Sequence, residues 1–512
     1  MKKATSNKVS AECVKIGIFI ADIREQLHST QKDLAQALGT SQSAVARMEK
    51  GEQNFSTEML AKISRALNHP IFTLGSGTIN FQIEGSHKLS GEIATNTSKN
   101  SAVVLLAASL LNKNRTELKK MPRIEEVNRI IEVLVSIGVS VRWLTGNDLE
   151  IVPPKKLNMK GLNVESAMKT RSILLFLGPL IHCLPEFELP HPGGCKLGRR
   201  SVRPHLFALE KLGVNITTSH GMYRIITRKL TSSEVILYEA GDTVTENALM
   251  AAARIPGVTT IKFASANYQV QDVCHYLEKL GVRVDGVGTT TLTVYGKSEI
   301  NMPVTYYPSE DPIESMLFIS IAATTKSSLV IKRCPIDFLE IELLKLEKMG
   351  FRYKILKRYK ANNGYTDLVD IKTFPSKFIA LEEKIHAQPY PGLNIDNLPF
   401  FVPIATQAKG TTLIHDWVYE NRAIYYMELN KLGADIMLAD PHRVYIEGPT
   451  ELKAAEVICP PALRPAVIIL IAMLAARGTS VLRNGYSINR GYEDLCNRLN
   501  KIGAKIKILK GI

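Results

Sequence analysis

One thiol set between glycines and followed by cations is the most reactive arrangement in this chain of 512 residues: Pro192-Gly193-Gly194-Cys195-Lys196-Leu197-Gly198-Arg199-Arg200. Glycine lacks the Cβ that would hold a backbone away from a ligand. Lys196, Arg199 and Arg200 favour the thiolate over the thiol and attract anions, the setting in which a cysteine becomes reactive. Taken alone, the stretch also reads as a basic surface loop with an incidental cysteine. Other charged residues sit beside structural signals. Lys99, in Ser98-Lys99-Asn100, opens an apolar helix, and Asp396 precedes Asn397-Leu398-Pro399. Arg422 follows Glu420-Asn421, and Arg490 lies close to Glu493. Each of these, in isolation, reads equally as a helix cap or a surface ion pair.

Composition narrows the ligand. The formal net charge is +15, and residues 1–75 carry ten Lys/Arg against seven Asp/Glu, which leaves +12 for the remainder. The larger part of the chain is therefore expected to handle an anion. Seven scattered cysteines without a Cys-x-x-Cys pair argue against a disulfide framework or zinc site and for a reducing compartment. No His/Cys cluster has metal-ligand spacing and no Gly-x-x-x-x-Gly-Lys occurs, so neither metal nor organic cofactor is implied. The longest apolar run near the C-terminus, Ala466 to Ala476, has eleven residues, too few to span a bilayer. Glu12, Lys15 and Asp22 interrupt the N-terminal apolar stretch, so no signal peptide is evident. A cytoplasmic protein without a membrane partner is expected.

The elements that must position these residues fall into two groups. Residues 1–75 show helical spacing through Ile16, Ile20, Ile23 and Leu27. Thr30 and Asp33 then cap a short helix that Gly39 ends, and Ser41 opens another. A fourth helix runs from Ser56 to Leu67. The pattern Gln31…Leu34-Ala35…Gly39-Thr40-Ser41-Gln42-Ser43-Ala44-Val45 resembles the phage Cro/C1 type of helix-turn-helix. That resemblance implies DNA binding, with Gln42, Ser43 and Arg47 at base edges and Gln31 near the phosphate backbone. A homodimer is expected if the module works; a small helical bundle for protein contacts is the rival.

From Ile79 onward one unit recurs six times: an apolar helix, a doublet ending in glycine, then a strand. The doublets end at Gly138, Gly213, Gly281, Gly350, Gly433 and Gly503, spaced 68 to 83 residues apart. Each unit carries a second helix that is apolar nearly all round: Ala102–Leu111, Ser172–Ile181, Ala248–Ala253, Met316–Ala323, Phe400–Ala405 and Ala466–Ala476. Such helices are buried. Six units of about 70 residues are too large for a solenoid and predict two three-fold globes with helical cores and sheets outside.

Six repeats with this cysteine loop resemble the enolpyruvyl transferases, in the branch that acts on UDP-N-acetylglucosamine. Ser98-Lys99-Asn100, Arg171 with Leu177-Gly178-Pro179-Leu180, Pro192-Gly193-Gly194-Cys195 with Arg200, and Thr245-Glu246-Asn247 carry the resemblance. Pro389-Tyr390-Pro391-Gly392…Asp396, Glu420-Asn421-Arg422 and Arg490-Gly491-Tyr492-Glu493 complete it. The resemblance implies an α/β (α+β) fold, an inside-out α/β barrel in two lobes. Lobe I is expected at 99–305 with the Cys195 loop as lid, and lobe II at 79–98 plus 306–512. It implies transfer of the enolpyruvyl group of phosphoenolpyruvate to a nucleotide-sugar hydroxyl, with no cofactor. Cys195 is then assigned to C3 protonation and Asp396 to the hydroxyl proton. Lys99, Arg200 and Arg490 are assigned to the phosphate and carboxylate of phosphoenolpyruvate, with Arg422 and Arg464 in support. Asn100, Arg171, Ser201, Val202, Arg203, Pro204 and Val418 are assigned to the nucleotide sugar. The free backbone N–H groups beside Lys99 are expected to form an anion seat.

Departures from the family pattern bear on the acceptor. Where the family has an acid in Arg-Pro-Val-Asp-Leu-His, this chain has Arg203, and Ser-Val-Gly becomes Glu239-Ala240-Gly241. Asp-Leu-Arg becomes Ala462-Leu463-Arg464, which removes an acid that assists proton transfer in the family. Two alternatives follow: transfer to another nucleotide in specialised metabolism, or a transcription regulator that senses a nucleotide sugar. Asp311, three residues past Pro308, reads as a helix cap.

Overall fold

The computed structural model of the protein describes residues 11–26, 29–52, 55, 57–67, 79–193 and 201–510. The chain divides between Thr78 and Ile79 into two compact units. No helix among the described residues is long and apolar enough to cross a membrane.

The first unit has helices Ala11–Gln26, Gln31–Leu38, Gln42–Glu49 and Thr57–Ala66. A capping box fixes the start of the second: the Asp33 amide donates to Thr30 Oγ1 (3.2 Å) and the Thr30 amide to Asp33 Oδ2 (2.8 Å). Gly39 ends that helix at φ 64°, a left-handed conformation that glycine adopts without strain. Ile20, Ile23, Leu34, Val45, Met48, Leu60 and Ile63 form the core. Gly17 allows close packing of the first helix, because a Cβ there would lie 2.5 Å from Met48 O. Beneath the third helix Arg24 pairs with buried Glu49, Nε to Oε1 at 2.5 Å and Nη2 to Oε2 at 3.0 Å.

The second unit has two hydrophobic cores. One gathers side chains between Ala102 and Tyr306; the other gathers Phe81 to Ile93 together with Ile313 to Ile506, and Tyr268. The second draws on both ends of the unit because strand Ile79–Glu84 lies between Thr479–Arg483 and Lys505–Lys510, antiparallel to each. Within each core sit the expected apolar helices. All thirteen residues of Pro312–Thr324 are buried, as are eleven of the thirteen in Leu463–Ala475. Six sheets surround them among the described residues. All six repeat glycines have positive φ, from 75° at Gly281 to 101° at Gly503, so each doublet is a left-handed helix stop.

Two helices depart from expectation. The stretch Ser172–Ile181 is a 3-10 turn, Arg171–Phe176, followed by a short α-helix, Leu177–Leu180. Pro179 has no N–H to extend the ladder. The fifth repeat helix, before Gly433, is 3-10 over Ala423–Leu432.

Two crossing segments join the cores. Thr97 and Glu310 form an antiparallel bridge; the Ser98 amide donates to Ser309 O (2.8 Å) and the Asp311 amide to Asn96 O (2.9 Å). Lys99 therefore enters the first core directly from the crossing, and Asp311 enters the second.

Candidate active site

Asp396 sits on the loop ahead of the Leu398–Phe400 turn, and its neighbours hold it in place. Its amide donates to Asn394 Oδ1 (2.8 Å). The Asn394 amide (3.2 Å) and Asn397 Nδ2 (2.8 Å) both donate to Glu342 Oε1, a carboxylate only 1% exposed. The Asp396 carboxylate faces two guanidinium groups, Arg464 Nη2 at 3.3 Å and Arg422 Nη1 at 3.7 Å. Burial pushes the Asp396 carboxyl up, but Arg464, Arg422 and Lys99 together hold it below the usual carboxylate range. Lys99 comes from the other core, so the two cores meet at this carboxylate.

Arg422 is fully buried and tightly held. Asp416 accepts from Nε (2.6 Å) and Nη2 (2.8 Å), Ile395 O accepts from Nη2 (2.8 Å), and the guanidinium lies 4.3 Å from the Tyr419 ring centroid. Nη1 makes no hydrogen bond among the described residues and faces the Asp396 carboxylate at 3.7 Å. The surface ion pair that Glu420-Asn421-Arg422 could have formed gives way to this buried pair with Asp416. Arg464 opens the Leu463–Ala475 helix and donates to the Tyr492 hydroxyl. Ala462, at the cap position, makes no side-chain cap.

On the other core, Lys99 is the first residue of its helix and pairs with Glu126 (3.1 Å). Burial would raise the Glu126 carboxyl; the Lys99 charge, the Ser172 hydroxyl and Arg490 instead bring it to about 2. The Arg490 charge thus acts on the same group as Lys99. Glu493 accepts from Asn147 Nδ2 (3.2 Å), away from the expected pairing with Arg490. Asn100 Nδ2 donates to the Tyr268 hydroxyl (3.0 Å). At the backbone beside Lys99 the Ser101 amide donates to Ser98 Oγ (3.2 Å), and the Lys99 amide lies near enough to the Asp311 carboxylate to lower its pKa.

Asp311 caps Pro312–Thr324 as read, accepting from the Ile313 amide at 2.9 Å. It also lies within reach of the Arg464 charge, and burial raises its carboxyl to about 6. Arg171 Nη2 donates to Ser201 O (3.2 Å), which ties it to the segment Ser201–Pro204. Arg203 opens the Arg203–Glu210 helix and is exposed; Pro204 is buried. Behind them Asn247 receives the Gly178 amide (2.8 Å) and contacts His205 Nδ1 (3.0 Å). Val418 is 41% exposed on the segment between Asp416 and Arg422. Cys195 and Arg200 lie outside the described residues.

Gln42, Ser43 and Arg47 are exposed on the third helix of the first unit. Gln31 Nε2 donates to Glu49 Oε2 (2.8 Å), so its amide is engaged within the protein.

Asp416, Glu126, Glu342 and Tyr268 were not singled out from the sequence. Nothing in a linear reading marks them, since each acts through a partner 6 to 168 residues away.

Known proteins resemble this chain over most of its length. Residues 83–499 match the family described as EPSP synthase (3-phosphoshikimate 1-carboxyvinyltransferase), and residues 20–72 match a helix-turn-helix family. The UDP-N-acetylglucosamine 1-carboxyvinyltransferase of Bradyrhizobium diazoefficiens is 34% identical over 429 residues, covering 84% of this chain and 98% of the relative. That of Treponema denticola is 34% identical over 434 residues, with 83% and 98% covered. Among solved structures, the enolpyruvyl transferase NikO from Streptomyces tendae superposes with a TM-score of 0.75 at 23% identity, covering 85% of this chain and 100% of that one. An EPSP synthase from Acinetobacter baumannii gives 0.66 at 18%, covering 84% and 100%. With this fold, these cores meeting at Asp396 and this extent of match, the chain belongs to the EPSP synthase family of enolpyruvyl transferases and carries a helix-turn-helix domain ahead of the transferase.

Proposed function

We propose that the protein transfers the enolpyruvyl group of phosphoenolpyruvate to the 3-hydroxyl of UDP-N-acetylglucosamine, with release of phosphate, the first committed step of peptidoglycan precursor synthesis. The observation that carries this reading is the Asp396 carboxylate held between Arg464 and Arg422 within the field of Lys99. Relatives bearing that enzyme's name align over 98% of their length.

In this reading the sugar hydroxyl adds to C2 of phosphoenolpyruvate while C3 takes a proton; loss of a C3 proton then expels phosphate and restores the double bond. Asp396 is ionised at neutral pH and therefore able to take the hydroxyl proton. Because its basicity is low, the transfer is expected to accompany formation of the C–O bond rather than precede it. The Arg422 Nη1 donor, Lys99, Arg464 and Arg490, with Arg200, supply cations for the phosphate and carboxylate. Cys195 is the assigned acid at C3. Burial pushes the thiols of Cys334, Cys459 and Cys496 up to about 12, which leaves them unsuited to that role. Arg171, Asn100, Val418 and Ser201 to Pro204 are assigned to the nucleotide sugar. The first unit is assigned to duplex DNA through Gln42, Ser43 and Arg47, with Gln31 at the backbone.

The test is phosphate release from phosphoenolpyruvate with UDP-N-acetylglucosamine as acceptor, in the parent and in Cys195→Ser. Release that Cys195→Ser abolishes is the expected result. A second reading, transfer to a different nucleotide, is favoured by the exposed cation Arg203 at the sugar segment. Release only with another nucleotide would select it. Binding without release from any acceptor would leave a nucleotide-sugar sensor.

A further inference from the structure

The second unit carries a face of positive charge that the transferase chemistry does not use. Strand Arg352–Lys360, RYKILKRYK, holds five cations and no acid. It is the edge strand of a four-stranded sheet. It pairs antiparallel with Asp367–Phe374, placing Arg352 opposite Phe374, Lys354 opposite Lys372 and, past a register shift, Lys357 opposite Asp370. Residues 369, 371 and 373 point into the core and are buried, so this set lies on the outer face. Lys357 stands 5.1 Å from the Tyr359 ring centroid and Lys372 5.6 Å from that of Phe374.

The cations on this face outnumber the facing acid, Asp370, which lies opposite Lys357. Among the described residues, none of Arg352, Lys354, Lys357 or Lys372 makes an ion pair, whereas Lys360 of the same strand pairs with Asp367 (2.9 Å). Asp370 is engaged by the Tyr359 hydroxyl (2.7 Å) and the Arg333 amide (3.1 Å). Two lysines directly opposite on neighbouring strands repel, which destabilises the pair. Lysine on an edge strand also blocks aggregation, but that purpose accounts for neither Lys372, on the inner strand, nor the cross-strand lysine pair. A polyanion would relieve the repulsion.

We propose that this outer face binds the phosphate backbone of duplex DNA, as a second, sequence-independent contact beside the helix-turn-helix. The proposal rests on the DNA-binding reading of the first unit. Residues 1–75 have a balance of only +3 against +12 elsewhere, while non-specific DNA affinity comes from phosphate neutralisation. The helix-turn-helix supplies base contacts with little charge, and the sheet supplies charge without base contacts. The strand has one markedly exposed apolar side chain, Leu356 at 49%, which offers little to insert into a lipid surface.

The test is fluorescence anisotropy of the full-length protein with a labelled random-sequence duplex, between 50 and 200 mM KCl. Lys354→Gln/Lys357→Gln/Lys372→Gln is expected to reduce the slope of log affinity against log salt by about 2 to 3, at ~0.9 per lost phosphate contact, so the parent's loss of affinity over that range should shrink roughly 40-fold. The corresponding triple Arg variant should keep the parent slope, and phosphate release should match the parent in both. An unchanged slope in the Gln variant overturns the proposal. If binding is also lost in Gln42→Ala/Arg47→Ala, the helix-turn-helix reading survives that failure. No duplex binding by the parent at any salt removes both readings. A Gln variant that self-associates at the parent slope assigns these lysines to edge protection alone. Tighter binding to phosphatidylserine vesicles than to duplex, lost in the same variant, assigns the face to membranes and overturns the DNA proposal.

Discussion

Asp396 illustrates how a carboxylate is kept ionised in a partly buried place. Burial alone would favour its neutral form, yet two guanidinium groups and Lys99 reverse the balance. A buried arginine needs fixed partners of its own, and Asp416 gives Arg422 a two-pronged one while leaving Nη1 unbonded. Asp396→Asn should leave the fold intact and lower the rate of phosphate release by at least about 100-fold, the usual span for losing a proton-transfer group; an unaltered rate would remove Asp396 from proton transfer. Cys195 offers a separate check. The resemblance to the amino-sugar branch implies that fosfomycin, an epoxide, alkylates this thiol. Intact-mass measurement should find one adduct on the parent and none on Cys195→Ser.

At the scale of elements, helix ends and one loop anchor do most of the positioning. Glu342, on the Glu340–Lys348 helix, holds the Asp396 loop through Asn394 and Asn397, and burial raises its carboxyl to about 7. Its folded pKa lies above its ordinary value, so the unfolded chain loses this proton first as pH rises. Stability should therefore fall between about pH 4.5 and 7 by an amount on the order of 3 kcal/mol from this group. In Glu342→Gln that part of the decline should vanish in urea titrations run at several pH values, while Glu342→Ala should also slow turnover by loosening the loop. Asp311 caps the helix of the second core, accepting from the Ile313 amide, and lies near the Lys99 amide. Removing such a cap costs about 0.5–2 kcal/mol. Asp311→Ala should show that loss in urea unfolding, with Asp311→Asn retaining most of the parent stability.

For the whole molecule, the division at Thr78 is the governing fact. A unit whose strand Ile79–Glu84 is paired on both sides by the C-terminal repeat closes on itself without the residues before it. Deletion of residues 1–75 should accordingly leave phosphate release within about twofold of the parent; a folded but inactive truncation would make the first unit part of the catalyst. Outside residues 1–75 cations serve both around Asp396, where Lys99, Arg422 and Arg464 are paired with acids, and on the open face of Arg352, Lys354, Lys357 and Lys372, two uses that a net balance of +12 cannot separate.

Much of this was legible along the chain because its cause is local. The six glycine stops need only a left-handed φ at the end of each helix, the apolar helices need only their composition, and Thr30 with Asp33 needs only a three-residue reach. The motif residues Lys99, Asp396, Arg422, Arg464 and Arg490 could be named from their order. What they touch could not, because Glu126, Asp416, Tyr268 and Glu342 have no local signature and act through contacts formed only when distant segments close. Asp311 shows the difference most clearly: its sequence marks a cap, and only the crossing of Thr97 with Glu310, 213 positions further on, brings it near the Lys99 amide. Local propensity and repetition therefore determined most of the elements and the ordered motifs carried the resemblance to the family, while tertiary closure decided which charges are paired, which are buried and which remain for a ligand.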